Sequence, residues 1–432
     1  MNPDVLIVGA GAAGLGAAQT LRACGRTSLV LEARDRVGGR IWTETIGGVP
    51  VDLGAAWIHG YERNPLRPLA EAARLRLVRS DTPDLGAPYR LYAADGREWS
   101  RAERDALEHV YADVQSRLEM TAAEWRATGQ HNRSLGDALA HASVPDEWRV
   151  AVEYKLLSEV VHEYADDLGA LSATAFDDDP TATLFGPHDM LPVGTGYAPL
   201  LSQMAGGIEI RLNQVATAVS VETESVTVTL ASGEQLSAPR CIVALPLGVL
   251  QAGLIAFAPE LPDAQRNALA RLEAGVLDKL VLVFPRVQWP LDVDWFGLLT
   301  PETERWCQWV NLARHCDAPI LIGELAGAFA RRAETWSDET IVGSALSAVR
   351  RMFGADLPEP VAVRRTRWLQ DPFARGSYAH LPPGARASDR DLVAAPHRER
   401  LFFAGEHTYR HCPTNVHGAW LSGVRAATHC LG

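Results

Sequence analysis

Three glycines, Gly9, Gly11 and Gly14, follow directly on the apolar run Asp4 to Val8 at the spacing GxGxxG. That arrangement can hold the pyrophosphate of a dinucleotide. The first glycine makes a tight turn, the second lets backbone approach phosphate, and the third lets a helix pack closely on the strand. A helix opening near Ala12 would add an N-terminus that favours an anion by roughly 0.3–1 kcal/mol at an exposed end. A second apolar run, Ser28 to Leu31, ends on Glu32, about 20 residues beyond the glycines, where a carboxylate accepts hydrogen bonds from a ribose. A free ribose diol is implied, which argues against NADP.

Other residues suited to chemistry lie farther along. The basic, glycine-bearing loop 33–40 can return to the phosphates held by the first turn. The 41 basic residues include only two lysines, Lys155 and Lys279, leaving 39 arginines. Lysine is a compact donor whose pKa shifts on burial, whereas arginine is a broad fork that keeps its proton. Lys279 stands in a strand-like run, as either a buried donor or a lysine snorkelling from an edge strand. His59, read alone, is a loop histidine. Glu159 to Asp179, with Glu163, Asp166, Asp167 and Asp177 to Asp179, reads as a solvated face and is also a candidate source of negative field.

These residues need elements to position them. Strands are expected at Asp4 to Val8 and Ser28 to Leu31, where both faces are apolar. Helical spacing covers 66–75 and 100–160, with a hairpin turning at Asp95-Gly96 between them. Short strands follow at Ile208 to Leu212, Ala218 to Thr223, Val226 to Leu230, Gln235 to Ala238 and Cys241 to Leu245. A helix is expected over 262–273, strands over 276–285, 295–299, 307–312 and 319–325, and a helix from Asp338 to Met352. Arg400 to Thr408 carries a strand tipped by Gly405 and Glu406. The small residues Gly418, Ala419, Ser422, Gly423, Ala426 and Ala427 suit a closely packed final helix.

At 432 residues, 47% hydrophobic and 22% charged, the composition is that of an ordinary globular protein of more than one domain. No apolar run reaches the ~18 residues a membrane span needs. The first strand begins near residue 4, leaving no room for a cleaved targeting peptide. A cytoplasmic protein is expected. The six cysteines form no CxxC pair, so neither a zinc site nor a disulfide framework is read. A net charge of −12 argues against nucleic acid and membranes as partners, and favours cationic ligands.

Taken together, Gly9 to Gly14, Glu32, Arg36 to Arg40, Asp52 to Gly60, Asn64-Pro65, Val243 to Leu250, Lys279, Trp368 to Tyr378 and Ala404 to Gly423 resemble the FAD-dependent amine oxidases. Within them the likeness is to the polyamine oxidase and lysine-specific histone demethylase branch. The resemblance implies an α/β fold, with a Rossmann-type FAD-binding domain interleaved with an α+β substrate-binding domain. The FAD domain is placed at 1–75, 190–272 and 388–432, and the substrate domain at 76–189 and 273–387, with the active site between them.

Carried over by position, Glu32 would bind the adenosine ribose, and Arg40 would lie near the phosphates and ribityl chain. Val215 would contact the adenine, Glu406 the ribityl and pyrophosphate, and Ala56 with Trp57 the flavin. The same resemblance puts Ala13, Ala33, Arg34, Gly39, Trp368 and Val416 against the cofactor. Lys279 matches a lysine that holds a water at flavin N5, Tyr378 one wall of an aromatic cage, and His59 a polar contact on the substrate side. Asn415 and Leu277 stand where some relatives have aromatic rings. Ser377 replaces the cysteine that bonds the flavin in monoamine oxidases, so the FAD is expected to be non-covalent.

The implied reaction is hydride transfer from a small amine, spermine or spermidine among the candidates, with O2 reduced to hydrogen peroxide. No metal is called for. The demethylases' long insertions and separate N-terminal helical domain are not seen, and a histone substrate is not expected. An L-amino-acid or monoamine oxidase of the same fold remains an alternative, as does a non-catalytic FAD-holding partner protein. A monomer and a homodimer are equally compatible with the sequence.

Overall fold

The runs read as buried strands form the centre of a mixed α/β molecule. The computed structural model describes residues 3–81, 88–175, 181–300 and 306–432. Val5–Val8 is the middle strand of a five-stranded sheet, in the spatial order Leu401–Phe403, Arg240–Val243, Val5–Val8, Ser28–Leu31, Glu209–Arg211. Every pairing in it is parallel. Parallel strands are buried on both faces, which is why these segments lack polar alternation.

One face is covered by the first helix, Ala12–Ala23, and the last, Val416–Leu431. A Cβ on Gly423 would lie 1.9 Å from Ala13 O, so the small residues of the last helix are what allow the two helices to touch. The other face is covered by a four-stranded sheet, where Leu6, Val8 and Leu31 pack against Val219, Val226 and Val228.

A six-stranded sheet lies apart from these, in the order Ala362–Arg365, Leu277–Val283, Ile320–Ala326, Gln308–Asn311, Trp295–Leu298, Tyr89–Tyr92. Leu277–Val283 is an interior strand. Lys279 is therefore not an edge lysine, and only the buried reading survives. Its antiparallel pairing with Ile320–Ala326 sets Lys279 opposite Glu324.

The helical region 100–160 resolves into Arg101–Ala127, Leu135–His141 and Arg149–Leu156. The last of these continues through a π turn, Leu157–Val161, into His162–Tyr164. Such turns shift the register of a helix and are frequent at functional sites.

The solvated-face reading of the acidic stretch is corrected here. Glu159 pairs with Lys155, whose side chain is only 2% exposed, and Asp166 is buried and pairs with Arg331. The carboxylate of Asp167 accepts from Ala328 N–H. Asp166 and Asp167 meet a cation and an amide of a distant segment, and Glu159 a buried lysine of its own helix, whereas Glu163 is exposed. Asp177 to Asp179 lie outside the described residues. Among the described residues, no helix is long and apolar enough to cross a membrane.

Candidate active site

A cavity with about 1960 Å³ of atom-free space, its open mouth included, takes lining residues from both the parallel and the six-stranded sheet. At the parallel sheet the lining is largely backbone. Gly9 has φ +105°, and a Cβ there would come 2.6 Å from Ala244 O, so the turn requires glycine. The helix N-terminus at Gly11 has no side-chain cap, and Gly11, Ala12 and Ala13 face the cavity. Unpaired helix N–H groups there suit a pyrophosphate. Gly38 N donates to Ala10 O at 2.8 Å, so the loop does return to the first turn.

Glu32 is buried beside this turn. Its Oε2 accepts from Ala10 N at 2.8 Å and its Oε1 from Arg34 N at 2.9 Å. A carboxylate has about four acceptor sites, so capacity for ribose hydroxyls remains. Arg34 makes a bidentate pair with Asp371. Arg40 donates to Ser377 O at 2.6 Å and to Glu406 Oε1 at 3.0 Å. Burial pushes the Glu406 pKa up, but Arg40, His407 and Arg390 outweigh it and hold the carboxyl below its ordinary value. Arg36 faces inward instead, onto the carbonyls of Val37, Gly39 and Ile41, and lies 4.8 Å from the Trp42 ring centroid. Burial draws its pKa down to about 10.

At the six-stranded sheet the lining is side chains. Lys279 Nζ donates to Gly54 O at 2.8 Å and to Asp52 O at 3.4 Å, and stands 5.3 Å from the Trp57 ring centroid. Burial lowers its pKa, while Glu324 and Asp52 act against the shift. Burial raises Glu324, with Lys279 opposing. Asp52 is pushed up to about 6 by burial, although hydrogen bonds from Thr43 and Tyr197 N–H and the Lys279 charge pull the other way.

Trp57 stacks on Trp295 with centroids 5.4 Å apart. The buried Trp57 Nε1 has no hydrogen-bond partner among the described residues, an open donor in the cavity wall. Tyr378 donates to the His162 carbonyl. Burial lifts its pKa well above the ordinary value, so it stays a phenol. His162, Glu163 and Ser158 reach the wall from the π turn and the residues after it. His162 Nδ1 lies 2.9 Å from Gln308 Oε1, and burial lowers its pKa to about 4. His59 Nδ1 lies 2.7 Å from Asp189 Oδ2.

Residues 12–431 match the family described as flavin containing amine oxidoreductase. The chain belongs to this family. It is 33% identical to polyamine oxidase 4 of Oryza sativa subsp. japonica over 442 residues, 99% of this chain and 88% of that protein. It is 32% identical to lysine-specific histone demethylase 1 homolog 2 of the same plant, covering 99% of this chain but 57% of the longer relative. A putrescine oxidase variant made to redesign cofactor binding shares the fold, with a TM-score of 0.81 at 22% identity over 100% of this chain and 99% of the other. FAD is the cofactor, and the open helix N-terminus, the glycine turn and Glu32 fit it.

In this flavin amine oxidoreductase the cavity brings together Lys279, His59 and Tyr378 with Gly9, Gly11, Ala13, Glu32, Ala33, Arg34, Gly39, Arg40, Ala56, Trp57, Val215, Trp368, Glu406 and Val416. Gly14 alone of the expected set is not in the wall. A Cβ on it would meet Gly9 O at 1.9 Å, so its place is in helix-to-strand packing. Leu277 and Asn415 also line the cavity.

Sequence reasoning missed Glu324, His162, Gln308, Trp295 and Asp189. Glu324 was within reach, since pairing the runs at 276–285 and 319–325 puts an acid opposite Lys279. The others carry no local signal. Asp166, Glu273 and His380 also gather within cation-sharing distance, and Arg331 supplies a positive charge to Asp166 there.

Proposed function

We propose that this flavin amine oxidoreductase oxidises a polyamine or a related small amine, giving an imine that water hydrolyses to an aldehyde and an amine. Non-covalently held FAD would supply the hydride acceptor for the carbon beside the amine and the route for electrons to dioxygen, with hydrogen peroxide as the product. The observation that carries the reading is the charge of the side-chain end. Glu163 and Glu324 line it, and both arginines in the described wall are committed elsewhere, Arg34 to Asp371 and Arg40 to Ser377 O and Glu406. Glu324 faces Lys279 across paired strands, so it is the exposed Glu163 at the mouth that suits a substrate with a second ammonium. An L-amino-acid oxidase needs an arginine to clamp a carboxylate, and no described residue serves.

The chain's own groups have separable tasks. Tyr378 presents a ring face that aligns an amine, while Trp57, stacked on Trp295, lines the flavin end. Lys279, tied to Gly54 O, is placed to hold a water. Glu163, exposed beside His162, receives the distal ammonium at the mouth. The amine reacts in its neutral form, so no general base is obligatory and the rate rises as amine protons are lost. The division at 1–75, 190–272 and 388–432 against 76–189 and 273–387 forms part of this proposal.

The test is anaerobic mixing of the yellow holoprotein with spermine, spermidine, putrescine, a monoamine and an L-amino acid in turn. Bleaching by a polyamine, with peroxide on admitting air, is expected. Bleaching by the amino acid alone would overturn the reading.

A further inference from the structure

Asp278 precedes Lys279 on the strand Leu277–Val283 and points the other way. Its side chain shares the core-facing side of the strand with Leu280 and Leu282, while Lys279 and Glu324 face the cavity. Only 3% of Asp278 is exposed. Its Oδ1 accepts from the Thr366 hydroxyl at 2.7 Å and from Trp368 N–H at 3.0 Å. The buried Glu334, last residue of the helix Gly327–Glu334, takes the next two amides, Leu369 N–H at 2.7 Å and Gln370 N–H at 3.0 Å. Grips on consecutive residues bring the two carboxyls together.

The strap they hold, 366–371, touches the FAD site at three points. Thr366 Oγ1 accepts from Lys279 N–H at 2.9 Å, Trp368 lines the cavity, and Asp371 makes the bidentate pair with Arg34. The buried Asp278 Oδ2 receives no hydrogen bond from a donor among the described residues. The Glu334 carboxyl is in hydrogen-bonding contact with Asp278. A proton between the two satisfies both, because like charges this close and out of water resist ionising together. Burial and the Glu334 charge push Asp278 up to about 8, against the hydrogen bonds from Thr366 and Trp368. The cations packed nearby are turned elsewhere, Arg331 to Asp166, Arg332 over the Phe329 ring, and Arg365 and Arg367 to Asp338.

We propose that Asp278 and Glu334 are positioning residues that share one proton, and that this proton fastens the 366–371 strap, with Trp368, against the FAD. The inference rests on FAD as the cofactor and not on the identity of the amine. Loss of the proton sets two buried carboxylates against each other and parts the strand's hold on the strap from the helix's. The folded protein keeps this proton up to about 8, whereas an unfolded aspartate gives it up near 3.8. The stabilisation is therefore complete below the ordinary aspartate value and is lost as pH rises through 8.

The test is FAD release from the holoprotein, followed by the fluorescence of free flavin. The Kd for FAD in wild type should rise about tenfold from about pH 7 to about pH 9.5. Asp278→Asn replaces Oδ2 with an N–H donor that holds Glu334 at every pH. It should bind FAD as wild type does near neutrality and lose the pH dependence. An unchanged pH dependence in Asp278→Asn, a loss of affinity equal at every pH, or a wild-type Kd that is flat over the range would overturn the proposal.

A second measurement needs wild type alone. Infrared difference spectra should show the C=O stretch of a buried protonated carboxyl at neutral pH, fading as pH passes about 8. No such band at neutral pH would overturn the proposal even if Asp278→Asn failed to fold.

Discussion

At the parallel-sheet end of the cavity the wall is built on a glycine turn, a helix N-terminus and a returning loop from the first 40 residues, with Glu32 as the one buried carboxylate in that stretch, and is completed by Val215, Ala244 and Glu406 from later segments. At the six-stranded end the wall is Lys279, Glu324, His162, Tyr378 and Trp57, side chains drawn from five separate segments. Backbone donors suit an invariant pyrophosphate, because their positions follow from the turn itself. Buried side chains with opposed charges suit recognition and reaction, because each can be exchanged without remaking the fold. Damage at the first end should therefore cost the cofactor, and damage at the second should cost rate or selectivity while the protein stays yellow.

The sharpest break is Gly14→Val. Its Cβ would overlap Gly9 O, and relief requires the helix to leave the strand. We expect protein without bound flavin, less stable by more than the roughly 1–3 kcal/mol of ordinary overpacking. Visible absorbance and thermal melting check this, and normal flavin content would contradict the backbone account.

Next comes Lys279→Met, which removes the buried charge while keeping an apolar side chain of similar length. Flavin content should be normal, and anaerobic reduction by amine should slow by roughly 10²–10³-fold, the usual scale for losing one positioned donor. Unchanged reduction in stopped flow would remove Lys279 from the reacting end.

A smaller effect is expected of Glu163→Gln. The KM for a diamine should rise about tenfold, as one charge-assisted contact at an open mouth is lost, and that for a monoamine should hardly move. Equal effects on both would mean that Glu163 does not meet the distal charge.

Acid stability is the property in which the two ends should agree. Burial holds His162, at the amine end, and His407, beside Glu406, near 4, against an ordinary value of 6.5. Their folded pKa is the lower one, so the unfolded chain binds more protons between those values. Their stabilisation is present above pH 6.5 and is lost as pH falls toward 4. Asp52, raised to about 6, works in the opposite sense between its unfolded and folded values. Melting temperature against pH should fall less steeply over this window in His162→Asn and in His407→Asn than in wild type. Parallel curves would show that these histidines titrate normally.

The same contrast explains what could be read in advance. The glycine turn, Glu32 and the two buried strands are contiguous, so spacing alone revealed them. Strand limits were close, with Val226–Leu230 and Gln235–Ala238 falling where alternation placed them. Lys279 stood out only because arginine had replaced nearly every other lysine. Asp189 and Trp295 become neighbours of the site through pairings far apart in sequence, which no window of periodicity registers. His162 and Glu163 depend on a π turn, whose altered register a 3.6-residue pattern does not contain. The acidic stretch was misjudged at Asp166 and Asp167 because charge density looks alike whether the partners are water or a cation and an amide of a distant segment.

The most direct test of the side-chain end as a site for multiply charged amines is single-turnover flavin reduction by α,ω-diamines and monoamines of equal carbon number. The account predicts that the second ammonium lowers the apparent Kd by about tenfold or more at low ionic strength, with the advantage shrinking as salt is added. Equal Kd values for the two series, unaffected by salt, would contradict it.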